Sequence, residues 1–275
     1  MLSDAFGEKR KVPDMDEILF RREGAVEVIT LNRPEKMNSF SYEMVKAIGT
    51  RIEEIQFEDD VRAVVITGEG KGFCTGADLA GSGGREDAFT APGMRITTFS
   101  YSKMVSGIWA LEKPVIGAIN GVAAGAGCNF ALSCDILIAS EKAKFIQVFV
   151  RRGLVADAGG TYFLPRIVGL ARAKELMFFG ETIEAEQALE IGLVNRVVPP
   201  ERLMEEAMEV ATRLAKGPTR AMGMMKKMLN SSFESDLTTA LEREASLQGI
   251  AVATADCVEG VTSFLQKRDP DFKGK

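Results

Sequence analysis

The chain has 275 residues, 46% hydrophobic and 27% charged, with a formal net charge of −5. That is the composition of a globular protein large enough for one sizeable core, or for a core with an appended subdomain. The Lys and Arg residues are dispersed and leave no basic footprint for nucleic acid. No apolar run nears the roughly 20 residues that a bilayer crossing needs.

The absence of histidine excludes more than any other feature. Ser-His-Asp and Cys-His nucleophilic catalysis, His general bases and H-E-x-x-H metal sites all require it. Acid–base chemistry in this chain falls to a carboxylate, Lys, Tyr or Cys. The four cysteines, Cys74, Cys128, Cys134 and Cys257, form no C-x-x-C pair and sit mostly in apolar or Gly-rich contexts. Reduced thiols and no metal site are therefore expected. The polar N-terminus lacks the apolar region of a signal peptide, and Phe-Lys-Gly-Lys is not an organelle address. A cytoplasmic location is the expectation.

Residues 1–17 are expected to be a mobile segment. Val26, Val28 and Thr30 then alternate with Glu27 and Ile29 as a strand, which stops at Asn32-Arg33-Pro34. Ser41–Phe57 carries Met44, Val45, Ile48, Ile52 and Ile55 at helical spacing, with Ser41 as N-cap. Ala63–Thr67 reads as a strand buried on both faces. Ala80–Met94 is a Gly-rich loop, either beside a site or simple surface slack. Ile96–Leu111 is a helix, and Val115–Ile119, Asp135–Ile138, Lys144–Ile146 and Val194–Pro199 are short strands. Beyond Gly180 the pattern is mostly helical, over Ala185–Ile191, Pro200–Ala215, Pro218–Asn230, Ser235–Ala253 and Cys257–Lys267. The expected architecture is an α/β core over 18–200 and a helical C-terminal region over 201–275. Stripes such as Leu203, Met208, Val210 and Leu214, or Leu241, Leu247 and Ile250, must pack on the core or on another subunit. Lys226-Lys227 and Lys267-Arg268 read as solvated faces.

Gly121–Phe130 reads GVAAGAGCNF and joins a buried strand to an apolar segment. It is either a Gly/Ala helix packed tightly on a sheet or a helix start whose free N–H groups face an oxyanion. Gly68–Leu79, GEGKGFCTGADL, is neither a dinucleotide fingerprint nor a P-loop, since both spacings fail. It offers the amide of Ala77 just after Gly76, and Gly121–Phe130 offers that of Ala126. Two amides from separate segments are what an enolate or tetrahedral oxyanion needs. Asp157, just before a Gly pair, reads from sequence alone as a turn residue. Tyr162, Cys74 and Cys128 read as packing.

LNRPEKMNSF (31–40), GKGFCTGADL (70–79), AINGVAAGAG (118–127) and GLVADAGGTYFLPR (153–166) together resemble the crotonase superfamily of enoyl-CoA hydratases and isomerases. Within it, GVAAGAG and the Asp-bearing loop look similar to the ring-epoxide isomerases of phenylacetyl-CoA breakdown. The resemblance implies a spiral of ββα turns and a helical C-terminal region that forms a homotrimer or a dimer of trimers. It implies a coenzyme A thioester as substrate, with no separate cofactor, and the Ala77 and Ala126 amides as its oxyanion hole. Lys36, Asn38, Asp78 and Leu79 would line the coenzyme A, and Asn129 and Phe149 the acyl pocket. Hydratases of this family carry glutamates where this chain has Asn129 and Phe149, so the resemblance argues against efficient hydration. It assigns the single base to Asp157, the loop position used by several isomerases. A lyase or hydratase and a non-catalytic acyl-CoA-binding trimer are the alternative readings. An aryl-CoA dehalogenase would need a histidine.

Overall fold

The computed structural model describes residues 16–78 and 90–275. Leu79, most of the N-terminal segment and most of the loop expected over 80–94 lie outside them. Ten strands form two sheets among the described residues. The first has the order β1 (Ile18–Glu23), β2 (Val26–Leu31), β3 (Ala63–Gly68), β5 (Val115–Ile119), β7 (Ile136–Ser140), β10 (Arg196–Val198). The second runs β4 (Gly72–Cys74), β6 (Val122–Ala124), β8 (Lys144–Ile146), β9 (Thr182–Glu184). Apart from β1 and β9, which pair antiparallel, neighbouring strands are parallel.

Each turn of the chain contributes one strand to each sheet and then a helix: β3–β4–α2 (Ala91–Ala110), β5–β6–α3 (Ala126–Leu132), β7–β8–α4 (Gly160–Val168), after which α5 (Leu170–Phe179) and α6 (Ala185–Glu190) flank β9. This is the spiral of ββα turns that the motifs imply. β4 and β6 pair in parallel, with a register shift between Gly72 and Cys74, so the loops after them open at the same end of the second sheet.

The helix over 41–57 forms as α1 (Tyr42–Phe57), and the Ser41 hydroxyl accepts from the Met44 amide at 3.1 Å. Its stripe of Met44, Val45, Ile48, Ile52 and Ile55 is buried. α2 starts five residues before the apolar periodicity does. Thr90 caps it through the Gly93 amide at 3.2 Å, and Pro92 occupies the first turn, where its missing N–H costs nothing.

Two readings change. β2 alternates in sequence but is almost wholly buried, because both of its faces are covered. Val26 and Val28 pack with Ala63, Val65, Ile116, Ala118 and Ile138 against Leu203, Ala207, Ala211 and Ala215 of α7 (Leu203–Ala215). Those four residues recur every fourth position, and the small alanines let the helix close onto the sheet. The stripe that begins at Leu203 thus packs on the core of its own chain. Lys226 is also not on a solvated face: its ammonium is 2.8 Å from Asp135 and donates to the Ile108 and Lys113 carbonyls. It ties α8 (Thr219–Asn230) to the spiral.

Candidate active site

β4 and β6 run parallel, and each ends in a glycine turn. Gly76 has φ +84°, and a Cβ built on it would lie 3.0 Å from the Ala124 carbonyl oxygen and 3.2 Å from the Ala126 nitrogen. Gly127 approaches still closer, since its Cβ would fall 2.2 Å from the Cys74 carbonyl. Only glycine lets the two turns meet at these separations. Phe40 pairs with Ala77 as a parallel bridge, in which the Phe40 amide donates to the Gly76 carbonyl at 2.7 Å and the Asp78 amide to the Phe40 carbonyl at 3.3 Å. Alternate peptide groups of an extended chain face opposite sides, so the Ala77 N–H is turned away from Phe40. Ala126 occupies the first position of α3, where an amide has no partner within its own helix. Neither amide has a backbone acceptor among the described residues.

The Ala77 turn is braced from behind. Asn38 is fully buried and accepts from the Arg33 amide at 2.7 Å while donating to the Glu69 and Gly72 carbonyls at 2.9 and 2.7 Å. Its side-chain bonds all run inward, so the side chain braces the loop. Asp78 is pinned by the buried Arg33 guanidinium and by the Lys36 ammonium, each at 2.9 Å. Lys36 is the half-exposed member of that group.

Asp157 stands in the segment between a 3-10 turn (Val148–Arg152) and α4. The two residues that follow it, Ala158 and Gly159, both have positive φ, +47° and +78°. Its Oδ1 is buried and has no hydrogen-bond partner among the described residues. Burial without a compensating cation pushes the carboxyl up from 3.8 to about 6. Phe149 is buried, and its ring borders Gly125, whose Cβ would lie 3.7 Å from the Phe149 Cζ. An aromatic ring thus lies beside the α3 start, where it can exclude water but exchange no proton.

Asn129 is fully buried. Its Nδ2 donates to the Asp157 main-chain carbonyl at 2.8 Å, and its Oδ1 accepts from Gln147 at 2.8 Å. Cys74 and Cys128 are buried, and burial pushes both thiols up to about 12, which leaves them packing residues and not nucleophiles.

Three contributors escape a sequence reading. Gln147 carries no local signal. Tyr101 lies on the same helical stripe as Met104, Val105 and Ile108 and so looks like core. It is buried, its ring centroid 5.6 Å from that of Phe40. Its hydroxyl is pushed up by burial and then by the Asp157 carboxylate. Arg33 falls inside the first motif, next to a proline, where it reads as a strand terminator.

The arrangement has two amide donors from separate segments and, on a segment tied by Asn129 to the helix that begins with one of them, a partly desolvated carboxylate. It can hold an oxyanion and move a proton beside it. No described helix is long and apolar enough to cross a membrane.

The model of the enoyl-CoA hydratase/isomerase family matches residues 21–275. A 1,2-epoxyphenylacetyl-CoA isomerase of Escherichia coli K12 is 43% identical, over 95% of this chain and 100% of its own. A short-chain-enoyl-CoA hydratase of Clostridium acetobutylicum is 38% identical, over 93% of this chain and 97% of its own. The crystal structure of an enoyl-CoA hydratase from Bacillus anthracis has a TM-score of 0.89 and 35% identity, covering 94% of this chain and all of that one. With the two-sheet spiral and its paired glycine turns, these likenesses place this chain in the enoyl-CoA hydratase/isomerase family, the crotonases, as an acyl-CoA enzyme.

Proposed function

We propose that this protein is an acyl-CoA isomerase that moves a proton through a thioester enolate, with Asp157 as its single base. The observation that carries the reading is the Asp157 carboxyl, buried on one oxygen without a partner and raised to about 6. A carboxylate so placed takes a proton more readily than one in water and returns it near neutral pH.

On a 3-enoyl thioester, Asp157 removes a proton from C2. The electron pair moves into the C1 carbonyl, and the Ala77 and Ala126 amides hold the resulting enolate oxygen. Protonation at C4 by the same carboxyl then leaves the conjugated 2-enoyl product. No atom is gained or lost, and no oxidant or cofactor is required. One carboxylate is sufficient. The ring-epoxide thioester for which the Escherichia coli relative is named is a second candidate substrate, which would connect this chain to phenylacetate breakdown. The exposed apolar residues of the two C-terminal helices, among them Leu237, Leu241, Val261 and Phe264, support a homotrimer or a dimer of trimers.

Hydration is the second reading, favoured by the hydratase relatives. It needs two proton-transferring groups about a water, and this site offers Asn129, which is committed to Asp157 and Gln147, and Phe149.

The test is turnover of trans-3-hexenoyl-CoA to its 2-enoyl isomer, with Asp157→Asn alongside and crotonyl-CoA hydration measured in parallel. The expected result is isomerisation reduced about 10²- to 10⁴-fold by the substitution, the usual contribution of a general base. Hydration of crotonyl-CoA outpacing isomerisation, or an Asp157→Asn variant as fast as wild type, overturns the reading.

A further inference from the structure

We infer that Gln147 is a positioning residue for Asp157 and acts on it through the Asn129 side chain. The inference rests on the proposed role of Asp157 as base.

Gln147 follows β8 directly and is 4% exposed. Its Nε2 donates to Asn129 Oδ1 at 2.8 Å and lies 3.5 Å from the Cys128 sulfur. A carboxamide has one accepting and one donating end. With Oδ1 turned to Gln147, Asn129 has only its Nδ2 to present on the other side, and that group meets the Asp157 carbonyl at 2.8 Å. The Asp157 carbonyl can only accept, so it fixes the flip of Asn129, and Gln147 locks that flip by turning its donating end to Oδ1. The other flip would set oxygen against oxygen at the Asp157 carbonyl and donor against donor at Gln147.

What this chain of amides holds is a turn that needs holding. Ala158 carries a Cβ at φ +47°, a conformation that L-residues adopt only when their surroundings impose it. Gly160, the first residue of α4, lies flat against the Asn129 amide, and a Cβ there would fall 2.3 Å from Nδ2. The Asn129 side chain thus grips the Asp157 turn twice, by a hydrogen bond before Ala158 and by contact after Gly159. Among the described residues Gln147 makes no hydrogen bond to Asp157. Its influence on the carboxylate runs through Asn129, from β8 across α3 to the segment before α4.

The experiment compares full-length wild type, Gln147→Leu, Gln147→Glu, Asn129→Ala and the double variant Gln147→Leu/Asn129→Ala. Each is assayed with trans-3-hexenoyl-CoA for kcat and KM, and by hydrogen exchange of peptides covering Leu154–Phe163. Gln147→Glu preserves shape and is read at about pH 9, where its carboxyl, unlike the neutral form that burial favours, is ionised and cannot donate, so it separates polarity from space-filling and remains informative where Gln147→Leu fails to fold. The expected result is kcat lowered about 10²-fold in each single variant, as a misplacement of about 1 Å produces. KM should change far less, and exchange in the turn should quicken. The double variant should be no slower than Asn129→Ala, because the two residues act in series. Wild-type kcat and exchange in Gln147→Glu, or losses that multiply in the double variant, would falsify the inference. A wild type inactive on every 3-enoyl and ring-epoxide thioester sinks the proposed function instead. Exchange in the Leu154–Phe163 turn then decides whether Gln147 holds it.

Discussion

Gly76 and Ala126 are in backbone contact across two turns, so that a Cβ on the first would lie 3.2 Å from the nitrogen of the second. The separation of the Ala77 and Ala126 amides is fixed by that contact. Gly76→Ala adds a methyl group that must push against the Ala124 carbonyl, 3.0 Å away, at a φ of +84°. Losing one oxyanion donor costs about 10²- to 10³-fold in kcat, and this substitution is expected to reach that range. Gly24→Ala is the control. It also has positive φ, +59°, with nothing within 4 Å of the added atom. Both variants should lose about 1–2 kcal/mol from the left-handed backbone, measured by urea denaturation. Only Gly76→Ala should lose turnover.

Asp157 makes opposite predictions for activity and stability. An acid whose folded pKa exceeds its unfolded value holds its proton more tightly when folded. Its contribution to stability therefore falls as pH rises from about 4 to about 6 and stays low above that. A rise from 3.8 to about 6 corresponds to about 3 kcal/mol as an upper bound. Asp157→Asn removes the ionisation, so it should be more stable than wild type at pH 8 and no more stable at pH 4. Guanidinium melts at the two pH values check this. The wild-type kcat/KM should drop about tenfold per pH unit below about 6, as the base becomes protonated. A flat profile down to pH 4.5 would contradict the role given to Asp157.

Local physics made part of this molecule readable. The Ser41 cap, the stripe of α1 and the doubly buried β3 follow from spacing that neighbours in sequence determine. The two glycine turns were readable as close backbone approaches, since small residues at strand ends have few other uses. What could not be read depends on partners far along the chain. The burial of β2 on both faces comes from α7, more than 170 residues later. Lys226 looks solvated until α8 is laid against Asp135. Asn38 braces the loop before β4 and Asp78, after β4, is an ion-pair centre, and neither role shows in the spacing. Gln147 acquires meaning only when β8 brings it beside Asn129.

Behind the first sheet, Glu27 is buried between Arg22 and Arg51, at 2.9 and 2.8 Å. Arg51 also reaches Glu54 and Glu58, and its proximity holds the Glu58 carboxyl below the usual range. The two sides of this cluster are unequal. Arg51→Met leaves Glu27, 3% exposed, with Arg22 alone, and removing the partner of a buried charge costs about 3–5 kcal/mol. Glu27→Met leaves both arginines paired with the more exposed Glu58 and should cost less, about 1–2 kcal/mol. Thermal melts that rank the two the other way would show that the cluster is not organised around the buried carboxylate.

Lys36 and Arg33 share Asp78 at equal distances, yet their substitutions should separate binding from stability. The Arg33–Asp78 pair is buried on both sides, with side chains 7% exposed. Asp78→Ala leaves the guanidinium with Glu17, at 3.1 Å and partly exposed, as its remaining carboxylate. A loss of about 1.5–3 kcal/mol follows from the charged hydrogen bond that the buried guanidinium gives up. The turn bearing Ala77 loosens with it, because Asp78 is the next residue, so kcat should fall as well. Lys36 is 45% exposed, and an exposed pair contributes at most about 1 kcal/mol. Its half-exposed ammonium stands beside Asp78, the residue after Ala77, and the family resemblance implies that it lines the coenzyme A. Lys36→Ala should therefore leave the melting temperature nearly unchanged and raise KM for the acyl-CoA several-fold, more at low salt than at high salt. The same variant assayed with a pantetheine thioester, which lacks the nucleotide phosphates, should match wild type. An equal rise in KM on both substrates would place Lys36 outside the coenzyme A site.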